Sequence, residues 1–236
     1  MRRFLLLIGA LLVLPFLAAP ANAGPGPLIV GGRNATEAYS WMVSLQSSPG
    51  QHFCTGTLVS PRWVVTANHC LRGHFQVRVG SNSLTSGGQT AGMTTVAVGP
   101  DDVGLVQLDR AVTLAPAKIP TTPVAVGTPL RILGWGVTCD PGCQPPQTNQ
   151  ELDTALLADS SCGGITAAGE LCMNNPNKTG PCYGDSGGPA VQKVDGAWMV
   201  VGATSRAGGP GRCGQSPSVY GDLVAHRDFI TTYANG

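Results

Sequence analysis

The sequence predicts an all-β protein with one helix at its C-terminal end. Three observations carry that prediction. Apolar and polar residues alternate with the two-residue period of a half-buried strand, as where Phe75, Val77 and Val79 face one way and Gln76 and Arg78 the other. Short runs of strand-forming residues, Trp41–Gln46, Trp63–Ala67, Leu130–Leu133 and Trp198–Thr204, are separated by Gly, Pro, Ser and Asn, which punctuate turns. Only the last dozen residues, from about Val224 to Tyr233, have a helical pattern. The chain holds 33 glycines and 19 prolines in 236 residues, as a loop-rich β protein should. No internal repeat is visible. The Pro-rich stretch from Ala115 to Pro129 is the natural seam between two halves.

The N-terminus reads as an export signal over residues 1–23. Arg2 and Arg3 give a basic start, Phe4 to Ala19 is apolar, and Ala21-Asn22-Ala23 is a small-residue cleavage site. Pro15 interrupts the apolar run, which is also shorter than the roughly 20 residues of a spanning helix. A secreted protein with no membrane segment after processing is therefore expected. Removing residues 1–28 takes away two arginines and no acid, leaving a net charge of about −1 and no basic surface for nucleic acid. Eight cysteines in an exported chain imply disulfides, and sequence alone allows 105 connectivities for eight. Cys139 and Cys143 enclose a turn sequence, Asp140-Pro141-Gly142, that could close a small local loop. No Cys/His cluster has zinc spacing, so neither a metal nor another cofactor is expected.

Chemistry is concentrated in three separated segments. Gly184-Asp185-Ser186-Gly187-Gly188-Pro189 presents a serine on a tight turn whose small neighbours let a scissile carbonyl approach. Thr66-Ala67-Asn68-His69-Cys70 supplies a histidine, and Asp102-Val103-Gly104-Leu105-Val106-Gln107-Leu108 opens with a carboxylate. Ile29-Val30-Gly31-Gly32, Pro61-Arg62-Trp63-Val64-Val65, Gly134-Trp135-Gly136 and Pro217-Ser218-Val219-Tyr220 complete the set. With His, Asp and Ser in that chain order, the sequence from Ile29 onward resembles the trypsin/chymotrypsin family of serine proteases.

The resemblance implies two six-stranded antiparallel β-barrels with a cleft between them, over a protease domain spanning 29–236. It implies a serine endopeptidase that acts on proteins or peptides as a monomer through Ser186 as nucleophile, His69 as base and Asp102 as the group orienting His69. Asp102 rather than Asp101 heads the family's run, which leaves Asp101 to the solvated side of the strand. Gly184 and Ser186 N–H groups would form the oxyanion hole, and Ser205 would support Asp102. A freed α-amino group at Ile29 would pair with Asp185 after loss of residues 24–28. The family pattern pairs Cys54 with Cys70, Cys162 with Cys172 and Cys182 with Cys213, leaving Cys139 and Cys143 for a fourth bridge near the pocket entrance.

Departures from the pattern sharpen the expectation. The pocket base falls at Gly180, where trypsins carry aspartate, and Ser205, Ala207 and Ser218 belong to its walls. A buried Lys or Arg would have no counter-ion there, so a neutral, medium-sized apolar P1 residue is expected. Leu28 precedes the activation point in place of the usual basic residue; self-processing matches a neutral pocket, and another protease or an aminopeptidase is the alternative. Arg206 stands where the family has tryptophan, and its guanidinium would either favour an acidic P2 or P4 residue or point to water. Asn68 replaces the usual alanine before His69. No Asp or Glu lies between Leu71 and Pro100, so calcium is not expected there. Low charge with abundant Ala, Gly and Thr is in the style of a bacterial exoprotein. Two other functions remain open on the sequence alone: a catalytically inactive homologue acting as a binding protein, and an enzyme that is chiefly an esterase.

Overall fold

A computed structural model describes residues 29–234. The expected signal, the short prosegment and Leu28 lie outside the described residues. The first barrel is built from β2 (Met42–Gln46), β3 (His52–Ser60), β4 (Trp63–Ala67), β5 (Gln76–Val79), β6 (Gln89–Val98) and β7 (Val103–Leu108). They close antiparallel in the order β2-β3-β4-β7-β6-β5. The second uses β8 (Pro129–Gly134), β9 (Gln150–Leu157), β10 (Glu170–Met173), β11 (Pro189–Val194), β12 (Ala197–Ala207) and β13 (Ser218–Asp222). Their order is β9-β10-β13-β12-β11-β8, and pairing of β8 with β9 closes the ring. The two-residue β1 (Arg33–Asn34) adds to the edge of β9. Residues 109–128 carry the chain from one barrel to the other.

Side-chain alternation dictates these strands. In β5, Val77 and Val79 are fully buried while Gln76 and Arg78 are half-exposed. Val43, Leu45, Leu58, Val65, Leu105 and Leu108 fill the first barrel. Ile132, Leu152, Leu171, Ala190, Val201 and Tyr220 fill the second, and Ile29 packs among them. Each fully buried aliphatic side chain contributes about 1.5–3 kcal/mol, so closure of both barrels follows from pattern rather than from any single contact.

The C-terminal helix α1 (Arg227–Ala234) begins three residues later than the pattern predicts. The reason is a local cap: the Asp222 carboxylate accepts from Val224 N–H at 2.8 Å and Ala225 N–H at 3.1 Å, holding 223–226 as a turn. Ile230 then buries into the first barrel's core, and Tyr233 packs against Trp63, ring centroids 5.4 Å apart and tilted. The helix thus leaves the second barrel and packs on the first, fixing their relation. Among the described residues, no helix is long and apolar enough to cross a membrane.

Candidate active site

His69 sits in a short 3-10 turn, Asn68–Cys70, directly after β4. Asp102 sits in the turn between β6 and β7, and Ser186 in the loop between β10 and β11. Two groups therefore come from the first barrel and one from the second. The Cys54–Cys70 disulfide ties the histidine turn to β3. Asn68 ties it to the strand ahead of Asp102: its Nδ2 donates to Gly99 O at 2.8 Å, its Oδ1 accepts from Gly99 N at 3.3 Å, and its own N–H donates to Asp102 O at 2.8 Å. The replacement of alanine by Asn68 thus adds two hydrogen bonds between the turns that carry His69 and Asp102.

The Asp102 carboxylate accepts three hydrogen bonds. His69 Nδ1 lies at 2.8 Å, His69 N–H at 3.1 Å and Ser205 Oγ at 2.7 Å. Burial pushes the carboxyl up, but the bonds from His69 and Ser205 outweigh it and hold Asp102 below the ordinary carboxylate range. An ionised Asp102 can only accept, so His69 carries its proton on Nδ1 and presents Nε2 as the basic nitrogen. His69 and Ser186 face one cavity of about 430 Å³.

The turn bearing Ser186 is seated by contacts on every side. Asp185 is fully buried and accepts from Gly136 N–H at 2.7 Å and Cys182 N–H at 2.8 Å. Burial pushes its carboxyl up to about 7, against the pull of those two amides. Ser186 O accepts from Thr55 N–H at 2.8 Å. A Cβ at Gly187, where φ is +75°, would stand 2.0 Å from Thr66 Oγ1 and 2.5 Å from Thr55 O, so glycine is required where this turn meets β3 and β4. Among the described residues, the Gly184 and Ser186 N–H groups have no intramolecular acceptor, while Gly184 O accepts from Thr55 Oγ1 at 2.9 Å and His52 Nε2 at 3.0 Å.

His52 is a residue that sequence reasoning passed over. Its Nε2 must carry the proton to reach Gly184 O, so its Nδ1, 2.9 Å from Ser44 Oγ, accepts from that hydroxyl. Burial lowers its pKa to about 4, against the Gly184 contact. It is therefore a neutral brace under the Gly184 peptide. It follows directly on the turn Ser48–Gln51, and nothing in that run marks it in sequence.

The four disulfides are Cys54–Cys70, Cys139–Cys143, Cys162–Cys172 and Cys182–Cys213. Two groups of side chains lie close enough to share an ion, Cys54 with His69 and Cys70, and Asp140 with Cys182 and Cys213. All four cysteines are oxidised, so neither group offers the thiolate a metal would need. Ile29 is buried in the second core and Val30 bridges to Gly180.

Three expectations change. Asp101 is not on the solvated side: its carboxylate lies 3.0 Å from His226 Nε2, and it is four-fifths buried. Arg206 lines the cavity and is partly exposed, but its guanidinium is already paired. It forms a two-pronged ion pair with Glu170, Nη1 on Oε1 and Nη2 on Oε2 at 2.9 Å, and Nη2 also reaches Gly164 O at 2.8 Å. Gly180 does not line the cavity. Its φ is +151°, and the Asn175 side chain occupies the space in front of it, whereas Ser205, Ala207 and Ser218 do line the cavity. Nothing local in the sequence marks Asn175 or Glu170, because their partners, Ser216 and Ser218 for one and Arg206 for the other, are far away along the chain.

The family model described as Trypsin matches residues 29–230. The chain belongs to the trypsin family. It is 34% identical to Trypsin 5G1 of Aedes aegypti over 86% of this chain and 83% of the relative. It is 36% identical to Serine protease 1 of Homo sapiens over 77% and 82% of the two chains, and 33% identical to Trypsin I-P38 of Gallus gallus over 80% and 83%. Among solved structures it is similar to neuropsin, a serine protease expressed in the limbic system of mouse brain, with a TM-score of 0.77 and 28% identity over 85% of this chain and 97% of that one. Human heparin binding protein gives a TM-score of 0.76 and 27% identity over 88% and 97%. This trypsin-family chain is a serine endopeptidase, a hydrolase that acts on protein substrates.

Proposed function

We propose that Ser186, His69 and Asp102 form the catalytic triad of a secreted, monomeric endopeptidase that cuts after neutral apolar residues. The observation that carries this reading is the Asp102 carboxylate, which takes three hydrogen bonds, two from His69 and one from Ser205. In that arrangement His69 Nε2 is the basic nitrogen in the cavity that Ser186 shares. Ser186 Oγ attacks the scissile carbonyl carbon while His69 Nε2 takes its proton. The carbonyl oxygen becomes an oxyanion held by the Gly184 and Ser186 amides, and Asp102 stabilises the imidazolium. His69 then gives the proton to the leaving amine, and the C–N bond breaks to leave an acyl-Ser186 ester. Water, deprotonated by the same nitrogen, hydrolyses the ester and restores Ser186.

Activation follows from the burial of Asp185. In the uncut chain the Ile29 nitrogen belongs to a peptide and carries no charge, and the buried Asp185 carboxyl is pushed up to about 7. Release of an α-amino group at Ile29 would provide the cation that a buried carboxylate requires. The cut after Leu28 fits the same neutral specificity. Incubating protein that begins at Ile29 with a library of proteome-derived peptides tests the reading. Cleavage sites should carry neutral apolar P1 residues; cleavage confined to Lys and Arg, or none, would refute it.

A further inference from the structure

The cavity beside Ser186 is lined by Asn175 and not by the residue at 180. We propose that Asn175 is the specificity-determining residue there, limiting P1 to short neutral side chains. The inference rests on reading this cavity as the P1 pocket of the proposed site. Asn175 lines the same cavity as His69 and Ser186. Its amide is locked: Nδ2 donates to Ser216 O at 2.5 Å and to Ser218 Oγ at 2.9 Å. A carbonyl can only accept, so Ser216 O fixes which side of the amide carries nitrogen, and both amide hydrogens are used.

The locked side chain then decides how deep the pocket runs. A Cβ built on Gly180 would stand 2.5 Å from Asn175 Cγ and Nδ2 and 2.7 Å from Oδ1, contact distances that real side chains do not show. Asn175 thus fills the space that an aspartate at 180 would need, so the glycine and the asparagine form one unit. Asn175 Oδ1 is buried without a hydrogen-bond partner. Its partial negative charge disfavours a carboxylate and is too small to neutralise a buried ammonium or guanidinium; the carboxylate in the lining, Asp140, stands by the Cys182–Cys213 disulfide with Arg212 bonded to the same residue. A long P1 side chain, charged or aromatic, meets the amide before it is fully seated. Ala, Val and Leu stop short of it.

The test uses protein that begins at Ile29 and peptides differing only at P1: Ala, Val, Leu, Met, Phe, Trp and Lys. The wild type should show kcat/KM at least tenfold higher for Leu than for Phe, Trp or Lys. Asn175→Ala should raise the ratio of Phe to Ala cleavage at least tenfold, and Ser218→Ala, which removes one tether, should shift it less in the same direction. Labelling of Ser186 by a fluorophosphonate, which has no P1 side chain, reports that the site is assembled. A wild type that cuts after Phe or Trp as fast as after Leu overturns the inference, with no variant needed. So does an Asn175→Ala protein that labels at Ser186 yet keeps the ratio within twofold. Failure of the wild type to label or to cut any peptide would instead overturn the reading of the site on which the inference rests.

Discussion

The turn that carries Ser186 and the loops that line the adjoining cavity lie in one molecule and obey different constraints. At the turn, backbone meets backbone. Gly187 has Thr55 O and Ala67 N within 2.7 Å of where a Cβ would be, and Asp185 stands against Gly134 and Gly136. A side chain at Gly187 could be accommodated only by moving β3 or β4 of the other barrel. Around the cavity, flexible polar side chains meet loop backbone and one another: Asn175 Nδ2 with Ser216 O and Ser218 Oγ, Arg212 Nη1 with Asp140 O at 3.3 Å. Such contacts can be exchanged for others of similar volume. The chemistry of this chain is thus held by packing that admits few residues, while its selectivity rests on packing that admits many.

Substitutions that separate the two regions should differ in size. The largest effect belongs to the reacting groups. Ser186→Ala and His69→Ala should each lower kcat by about six orders of magnitude, and the double variant should lose no more than either single one. Losses that multiplied would mean the two groups act separately.

Protonation of Asp185 should dominate the stability of the uncut precursor, studied as Ser186→Ala. Its carboxyl titrates near 7 in the folded chain, above its unfolded value, so the stability it contributes is complete below about pH 4 and is lost as the pH rises through 7. The decline is on the order of 4 kcal/mol. His52, with its pKa lowered to about 4, tilts the other way, gaining stability from about pH 4 to 6.5. Urea midpoints of the precursor with and without Asp185→Asn isolate the first slope. The difference should grow in favour of the Asn variant with rising pH and should reverse in protein cut before Ile29.

Packing gives the next contrast. Gly187→Ala should cost more than about 3 kcal/mol, because the new methyl group meets backbone. Gly142→Ala, in the small disulfide loop by the cavity with nothing within 4 Å, should cost only about 1 kcal/mol from its positive φ. Equal midpoints in urea would erase the distinction between the regions. The smallest effect is expected at Ser205→Ala, which removes one hydrogen bond to ionised Asp102 and should lower kcat about tenfold with little change in KM.

The same contrast explains what could be read before folding. Val77 and Val79 announced a strand because burial follows the pleat, and β4 begins and ends where the run Trp63–Ala67 does. Ser186 and His69 were legible because glycines and a cysteine frame them at fixed spacing, a framing that close backbone contact enforces. Asn175 was not legible, because filling the space before Gly180 needs a loop to fold back on the pocket, and no periodicity records that. Arg206 was misread for a similar reason: its partner Glu170 lies on another strand. The helix started late because a single carboxylate, Asp222, held the preceding turn.

The central claim is that the hydroxyl on the crowded turn is activated by the imidazole of the other barrel. Mapping the adduct of a fluorophosphonate on protein that begins at Ile29 tests it most directly. One adduct, on Ser186, that disappears in His69→Ala is the predicted result; labelling on another residue, or labelling of Ser186 that survives loss of His69, would contradict it.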